Sequence, residues 1–485
     1  MSLKAKTLSG VKWTTVSTII VTAIQLLQLS VLARFLAPTD FGLMALVMLV
    51  IGFSQAFLDM GISNAIIHKQ TITNEQLSTL YWLNVLAGFV LFILICAASP
   101  FISLFYKEPE LTKLIILVGL TFLIQPFGQQ FMVLWQKGMR FAEMSKIDVA
   151  TKMLSLVVSV VFAYLGYGVY ALVYGTLAAV ILQTILFVSM GLKEHRPQLL
   201  LHWCEVREFF SFGVFQMGER TVNYFNSQID VILIGRLLGT ETLGVYNIAK
   251  QLVMRPAQIF NPIITKVTFP AMAKVQNDTA TLRRVCLQTI SHLSSVNFPI
   301  YAMMIVLAPE IVLFLFGAKW MAAVPIVQIL SIYGAVRSTG NPIGSLLLAK
   351  GRANLAFYWN LGLLFYVPVG IAIASQWGMV AVSWILVALQ VSLIIPGWYI
   401  LVSPLCGAKL GEYTLQMVVP FVLSLAAGIF AYLSISFFES GLLRFGAGML
   451  AGGAVYIGLS WRFNRVWFDS MMELVAGRLV VKRCL

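Results

Sequence analysis

The 485-residue sequence predicts an all-α, polytopic membrane protein, and three observations lead to that prediction. Hydrophobic residues make up 59% of the chain and charged residues only 11%, whereas a soluble globular protein carries roughly 25% charged residues. Apolar runs of about 20 residues, the length that crosses a bilayer core, recur along the whole chain. The third observation is an internal duplication, which predicts two lobes of the same architecture.

The apolar runs define the predicted membrane spans, which number about fourteen. They begin near positions 11, 41, 77, 112, 147, 169, 208, 242, 287, 322, 355, 378, 413 and 441. An even number places both termini on one side, and the loops of that side hold most of the Lys and Arg residues. Among loop residues on the other side, the basic ones are Lys107, Lys113, Lys319 and Arg444. Since positively charged loops stay in the cytoplasm, both termini are predicted to be cytoplasmic.

The duplication is clearest where LARFLAPTDFGLMAL (32–46) returns as IGRLLGTETLGVYNI (234–248). Arg34 aligns with Arg236 and Gly42 with Gly244, at a constant offset of 202. Parallel repeats of this kind are typical of transporters in which two helical bundles move about a central site. We therefore predict two pseudo-symmetric lobes of six helices followed by two extra helices: an N-lobe (1–192), a cytoplasmic linker (193–207), a C-lobe (208–403), and helices thirteen and fourteen with a cytoplasmic tail (404–485).

Charge and cysteine usage exclude other classes of protein. The net charge of +14 is explained by topology and attraction to the membrane surface, and no nucleic-acid partner is expected. The five cysteines are far apart in sequence and predict neither a disulfide framework nor a metal site. The tail (461–485) mixes aromatic and basic residues, as an interfacial helix does. A basic end that only anchors the topology is the other interpretation.

Polar residues recur at helical spacing in predicted helix seven. Such residues share one face, because consecutive residues in a helix turn by 100°. Ionisable groups are costly in hydrocarbon and normally face a cavity or the bundle interior. Glu219 and Arg220 are expected near mid-membrane. The polar arc consists of Gln216, Glu219, Asn223, Asn226 and Asp230.

Predicted helices eight and ten add basic residues at similar depth. Arg255 lies on a polar arc of helix eight, and Arg337 directly precedes a Gly-Asn-Pro break in helix ten. One guanidinium group can bind two phosphate oxygens at once, so these basic residues predict a cavity that binds an anion. Structural ion pairing, for example of Glu219 with Arg255 or Arg337, is the competing interpretation. The predicted substrate-binding residues are Arg220, Arg255, Arg337, Lys250, Asn223 and Gln251.

Three carboxylates are candidates for ion coupling: Glu219, Asp230 and Asp59. The coupling ion is left open between H+ and Na+. For Asp59 a loop or capping role competes with coupling, and Asp230, near the outer end of its helix, has the same two interpretations. No catalytic constellation and no cofactor site are found, so the chain is predicted not to be an enzyme.

Several stretches carry a resemblance to a known family, including VLARFLAPTDFGL (31–43), FLDMGISNAII (57–67), NPIITKVTFPAMAKVQND (261–278) and RSTGNPIGSLLLAKGR (337–352). They resemble the Wzx-type flippases of the multidrug/oligosaccharidyl-lipid/polysaccharide superfamily, closest to the colanic acid exporter branch. The resemblance covers most of the first 360 residues.

This resemblance implies a multi-pass protein of the bacterial inner membrane that serves surface polysaccharide biosynthesis, of exopolysaccharide or lipopolysaccharide. Such a protein moves undecaprenyl-diphosphate-linked oligosaccharide repeat units from the cytoplasmic to the periplasmic leaflet by alternating access, driven by an ion gradient. The implied partners are the lipid-linked oligosaccharide, membrane lipids, and polysaccharide polymerase and assembly proteins.

Two other functions remain open from the sequence. A multidrug exporter of the same superfamily would share the helical core, although cationic drugs favour an acidic or aromatic cavity over one with several arginines. A membrane polysaccharide polymerase or glycosyltransferase would need a sizeable catalytic loop with acid and base residues, and the predicted loops are short.

Overall fold

The computed structural model describes residues 3–58, 66, 72–199, 203–438 and 441–475, and the regular elements in these ranges are all helices. The predicted all-α class is therefore confirmed. Contacts divide the chain into two compact units, Met1–Gly244 (unit 1) and Val245–Leu485 (unit 2). The four-part division expected from the sequence stays a prediction.

Among the described residues of unit 1 there are eight helices and the first residues of a ninth, which continues into unit 2. Their bounds are α1 (Leu3–Phe35), α2 (Pro38–Leu58), α3 (Asn74–Tyr106), α4 (Glu110–Gly119), α5 (Thr121–Lys137), α6 (Phe141–Tyr164), α7 (Tyr170–Gly191), α8 (Trp203–Leu237) and α9 (Gly239–Lys274).

The helices that follow in unit 2 are partly broken into shorter pieces. Their bounds are α10 (Thr279–Val306), α11 (Ala308–Leu315), α12 (Val324–Ser338), α13 (Asn341–Ala349), α14 (Ala353–Ala374), α15 (Met379–Ser392), α16 (Ile394–Gly397), α17 (Ser403–Cys406), α18 (Leu410–Ile435), α19 (Leu442–Phe463) and α20 (Arg465–Val475). The predicted Gly-Asn-Pro break is present, since α12 ends at Ser338 and α13 begins at Asn341.

Within the described residues, eleven helices are long and apolar enough to cross a membrane, or twelve if the pair α10–α11, bent by 76°, is one span. The predicted number of about fourteen is thus not confirmed, although the multi-pass character is. Two more helices, α8 and α9, are long enough at 35 and 36 residues. They fall outside the apolar set because they carry the polar and charged residues singled out above.

Unit 1 is held by aromatic packing and by polar contacts between helices. Trp135 and Phe187, which join α5 to α7, are buried with ring centroids 5.4 Å apart. Gln28 of α1 donates hydrogen bonds to the hydroxyls of Ser159 (3.1 Å) and Ser155 (3.4 Å) of α6. Small and polar residues at such contacts let helices approach closely where no water competes.

A strap after α7, formed by residues 193–199, is bound to one end of unit 1. Arg140 forms an ion pair and hydrogen bond with Glu194. The indole of Trp82 donates to the carbonyl of Gln198 (2.9 Å), whose own N–H donates to the hydroxyl of Ser78 (3.0 Å). The first residues of the predicted linker are therefore tied to α3 and to the α5–α6 turn.

Unit 2 is built around α10, which packs against α12, α18 and α19. Asp278 caps α10 by accepting hydrogen bonds from the N–H groups of Ala280 and Thr281, both at 3.1 Å. The hydroxyl of Tyr456 donates to the buried carbonyl of Ser295 (2.7 Å). Buried polar groups that are paired in this way specify how the helices align.

Helix α20 continues from α19 after a single residue and belongs to the segment predicted as an interfacial helix. Trp467 packs on Tyr456 with ring centroids 5.7 Å apart. Val466 and Met472 are exposed. The tail is thus helical up to Val475, and the choice between an interfacial helix and a topology anchor stays a prediction.

Candidate functional site

The predicted polar arc lies on α8, which is helical from Trp203 to Leu237. Residues four and seven apart share a face of such a helix, so Glu219, Asn223 and Asp230 lie on one side. Asn223 is exposed and Asp230 is buried. The side chains of Glu219 and Arg220 lie outside the described residues, and so does the whole of Asp59.

The contacts of Asp230 can be compared with those of the equivalent residue in the first copy of the repeat. One carboxylate oxygen of Asp230 accepts a hydrogen bond from the N–H of Val231 (2.9 Å). At the offset of 202 Asp230 aligns with Gln28, whose amide links α1 to α6. The N-terminal copy therefore uses a neutral polar side chain for packing, and the buried carboxylate is particular to the second copy.

An aromatic cluster lies beside this arc, where α2 packs against α8. The hydroxyl of Tyr224 donates to the carbonyl of Leu49 (2.6 Å). The ring of Phe53 lies 5.1 Å from that of Phe225 and 6.1 Å from that of Tyr224, between centroids. Aromatic faces beside polar side chains are suited to sugar rings, which have apolar faces and hydroxyl edges.

The sequence prediction missed this cluster, although one signal was present. Phe53 aligns with Arg255 at the offset of 202. The same repeat position is thus aromatic in unit 1 and basic in unit 2. The comparison of the two copies marks Phe53 as the counterpart of a predicted binding residue, but it does not indicate that Phe53 packs on Tyr224 and Phe225.

In unit 2 the predicted basic residues lie on α9 and α12. Lys250, Gln251 and Arg255 are half-buried on α9. Arg337 is exposed in the last turn of α12, where its guanidinium donates a hydrogen bond to the hydroxyl of Tyr333. An exposed guanidinium at a helix end is accessible to an anionic ligand.

Tyr301 of α10 joins the segments that carry Arg255 and Arg337. Its side chain is 1% exposed, and its hydroxyl lies near Ala257 and Arg337. Its ring packs so closely on Gly334 that a Cβ atom there would lie 2.8 Å from the ring. Tyr301 was not predicted, because an isolated tyrosine in an apolar helix gives no signal in the sequence.

The arrangement therefore offers two kinds of chemistry. Unit 1 presents an aromatic cluster beside Asn223, while unit 2 groups guanidinium and phenol donors near the α12 end. Donors of this type bind phosphate oxygens through charge-assisted hydrogen bonds. Within the described ranges, no three His, Cys, Asp or Glu side chains are placed to hold a metal ion.

Ion pairs between described side chains occur at the ends of helices. Arg444 of α19 pairs with Glu310 of α11 at 2.8 Å, and Arg283 of α10 with Glu412 of α18 at 3.9 Å. The predicted pairing of Glu219 with Arg255 or Arg337 involves a side chain outside the described residues and stays a prediction.

Residues 31–325, which include the repeated motif, α8 and α9, match the family described as polysaccharide biosynthesis protein. The chain belongs to this family. It is 37% identical over 469 residues to the teichuronic acid biosynthesis protein TuaB of Bacillus subtilis (strain 168), covering 94% of this chain and 95% of the relative. It is 34% identical to the lipopolysaccharide biosynthesis protein WzxC of Escherichia coli (strain K12), covering 89% and 88%. The resemblance noted from the sequence is thus confirmed.

Two solved structures share the fold of this chain. The lipid II flippase MurJ, in an inward closed conformation, matches with a TM-score of 0.76 at 13% identity, over 95% of this chain and 100% of that one. An inward-facing multidrug resistance MATE transporter matches with a TM-score of 0.60 at 14% identity, over 87% and 96%. At these identities the likeness concerns the fold.

Proposed function

We propose that this chain is a flippase that moves an undecaprenyl-diphosphate-linked oligosaccharide repeat unit from the cytoplasmic to the outer, periplasmic leaflet of the bacterial inner membrane. It does so by alternating access, with both termini in the cytoplasm, and it serves surface polysaccharide biosynthesis. The chain acts as a transporter and makes no covalent bond.

The observation that carries this proposal is the convergence of α9, α10 and α12 on Tyr301. Tyr301 of α10 packs on Gly334 of α12, three residues before Arg337, and Asn297, one turn before Tyr301, donates a hydrogen bond to Asn261 of α9 (3.1 Å). We assign the diphosphate to Arg220, Arg255, Arg337 and Lys250, because guanidinium and ammonium groups bind phosphate oxygens. Asn223 and Gln251 face the sugars in this proposal, with the aromatic cluster of Phe53, Tyr224 and Phe225 as a stacking surface.

Ion coupling is assigned to Glu219, Asp230 and Asp59, with H+ or Na+ as the ion. Burial of a carboxylate in a membrane protein is costly unless protonation or cation binding neutralises it. Asp230 is the described member of this set and is 8% exposed. Its repeat partner Gln28 is neutral, which supports a role for charge at this position of the second copy alone.

The test is complementation in a host that encodes the chain and lacks a redundant flippase. Deletion is expected to raise lipid-linked oligosaccharide in the cytoplasmic leaflet and to lower surface polysaccharide, with recovery on return of the wild-type chain. Arg255→Ala removes charge-assisted hydrogen bonds worth about 1.5–3 kcal/mol, which corresponds to roughly a tenfold to hundredfold loss of transport. Arg255→Lys keeps the charge but cannot bind two phosphate oxygens at once. Its transport activity is therefore expected to lie between those of wild type and Arg255→Ala.

Arg284→Ala is the matched control, because Arg284 is an exposed cation on α10 outside the proposed site. All variants are compared at equal amounts in the membrane. Unchanged precursor and surface polysaccharide after deletion contradict the flippase proposal. Loss of drug resistance with normal polysaccharide supports the multidrug exporter in its place.

A further inference from the structure

The two copies of the duplicated motif meet each other inside unit 1. A Cβ atom on Gly42 would lie 1.8 Å from the carbonyl oxygen of Thr240, and a Cβ atom on Gly244 would lie 1.7 Å from that of Pro38. Gly42 and Gly244 are partners at the offset of 202, and so are Pro38 and Thr240. Gly42 therefore meets Thr240 in the same way that Gly244 meets Pro38, which is the relation between two copies across a two-fold axis.

This contact is made between backbones. A Cβ atom on Gly244 would also lie 3.0 Å from the amide nitrogen of Gly42. Glycine permits such an approach, and its Cα–H groups form weak hydrogen bonds to carbonyl oxygens at carbon–oxygen distances of about 3.3–3.6 Å. A methyl group at either position must push the two copies apart by roughly 1.5 Å to reach that distance.

The residues beside the two glycines are buried or hydrogen-bonded. Phe41 is 3% exposed and its repeat partner Leu243 is fully buried. The hydroxyl of Thr240 donates to the carboxylate of Glu108 (2.7 Å), which ties the contact to the turn between α3 and α4. By the predicted topology, these segments lie at the outer side of the membrane.

We propose that the glycine contact is the outer gate of the transport cycle, closed in this structure and separating when cargo leaves for the outer leaflet. The proposal rests on the proposed flippase function. A contact between glycine backbones suits a gate, because glycines have no side chains that could interlock across it. Because the contact is symmetric, the first turns of α2 and α9 can move apart by the same displacement.

Accessibility of a buried neighbour tests the gate without any substrate. Leu243→Cys is introduced into a chain whose five native cysteines are replaced by alanine, after transport by that chain has been shown. Intact cells are treated with a membrane-impermeant maleimide. Labelling is expected to be slow with Gly42 present and roughly tenfold faster with Gly42→Ala, because overpacking opens the contact.

Two other glycines serve as controls. Gly453 has open space around its Cβ position, so Gly453→Ala is expected to change neither labelling nor transport. Gly175 is as crowded as Gly42, since its Cβ would lie 1.8 Å from the hydroxyl of Ser159. Gly175→Ala is expected to lower stability without faster labelling of Leu243→Cys, which separates general destabilisation from opening of the gate.

A reversible cross-link keeps the test decisive if Gly42→Ala fails to fold. Phe41→Cys and Leu243→Cys together are joined by a short thiosulfonate cross-linker and later released by reduction. A gate predicts that cross-linking stops flipping and that reduction restores it. Flipping at the uncross-linked rate identifies the contact as a static pivot and overturns the proposal, as does failure of the two cysteines to cross-link.

The labelling result is independent of the transported molecule. If labelling responds to Gly42→Ala while the wild-type chain flips no lipid-linked oligosaccharide, the flippase proposal fails and the gate stands. If flipping is normal in wild type and in Gly42→Ala and labelling is unchanged, the gate fails and the flippase proposal stands.

Discussion

Replacement of Gly334 by alanine tests how Tyr301 positions the end of α12. A Cβ atom at this position would lie 2.8 Å from two carbons of the Tyr301 ring and 3.0 Å from its hydroxyl oxygen. The ring cannot turn aside easily, because Tyr301 is 1% exposed. Helix α12 must therefore shift against α10, and Arg337 must shift with it.

Two opposing contributions set the size of the effect. Alanine favours a helix interior over glycine by about 1 kcal/mol. Overpacking of a filled core costs about 1–3 kcal/mol. The expected net result is a loss of up to about 2 kcal/mol in the free energy of unfolding, together with reduced transport through the displaced Arg337.

The assay is a double-mutant cycle with Tyr301→Leu, read by thermal denaturation of the purified protein and by flipping. Once the ring is absent, Gly334→Ala should no longer destabilise and should gain up to about 1 kcal/mol from helix propensity. The coupling between the two sites is therefore expected at about 1–3 kcal/mol. If Gly334→Ala is as stable as wild type and flips normally, or if the two effects simply add, the reasoning is refuted.

Two further predictions concern the buried hydrogen bond of Tyr456 and the strap of residues 193–199. Tyr456→Phe removes the hydrogen bond to the carbonyl of Ser295 and should lower the free energy of unfolding by about 1–3 kcal/mol. The control is Tyr432→Phe, which removes a hydroxyl from an exposed side chain. Equal stabilities of the two variants contradict this prediction. Burial lowers the pKa of His195 below its ordinary value of 6.5, so the strap is stable with neutral imidazole and should loosen as the pH falls below 6.5. The protection factors of residues 193–199, which are hydrogen-exchange rates corrected for the intrinsic base-catalysed rate at each pH, should therefore fall between pH 7.5 and about 5.5. His195→Asn should remove this dependence, and protection factors that do not change with pH in wild type would count against it.

The sequence by itself determined the fold class, the multi-pass character and the duplication. These follow from local patterns, since the length and apolarity of each run decide whether a segment crosses a membrane as a helix. Helical spacing likewise put the polar residues of α8 on one face, and the Gly-Asn-Pro sequence marked the break between α12 and α13. The family followed from short sequence motifs such as VLARFLAPTDFGL (31–43).

Only the tertiary structure decided which distant residues meet. Nothing in the pattern around Tyr301 indicates that its ring packs on Gly334, or that Phe53 packs on Phe225. The duplication showed that Gly42 and Gly244 are equivalent, yet their mutual contact depends on how two helix starts, about 200 residues apart, approach each other. Such pairings are set by the shape of packed surfaces, and side-chain volume across a contact leaves no periodic trace in the sequence.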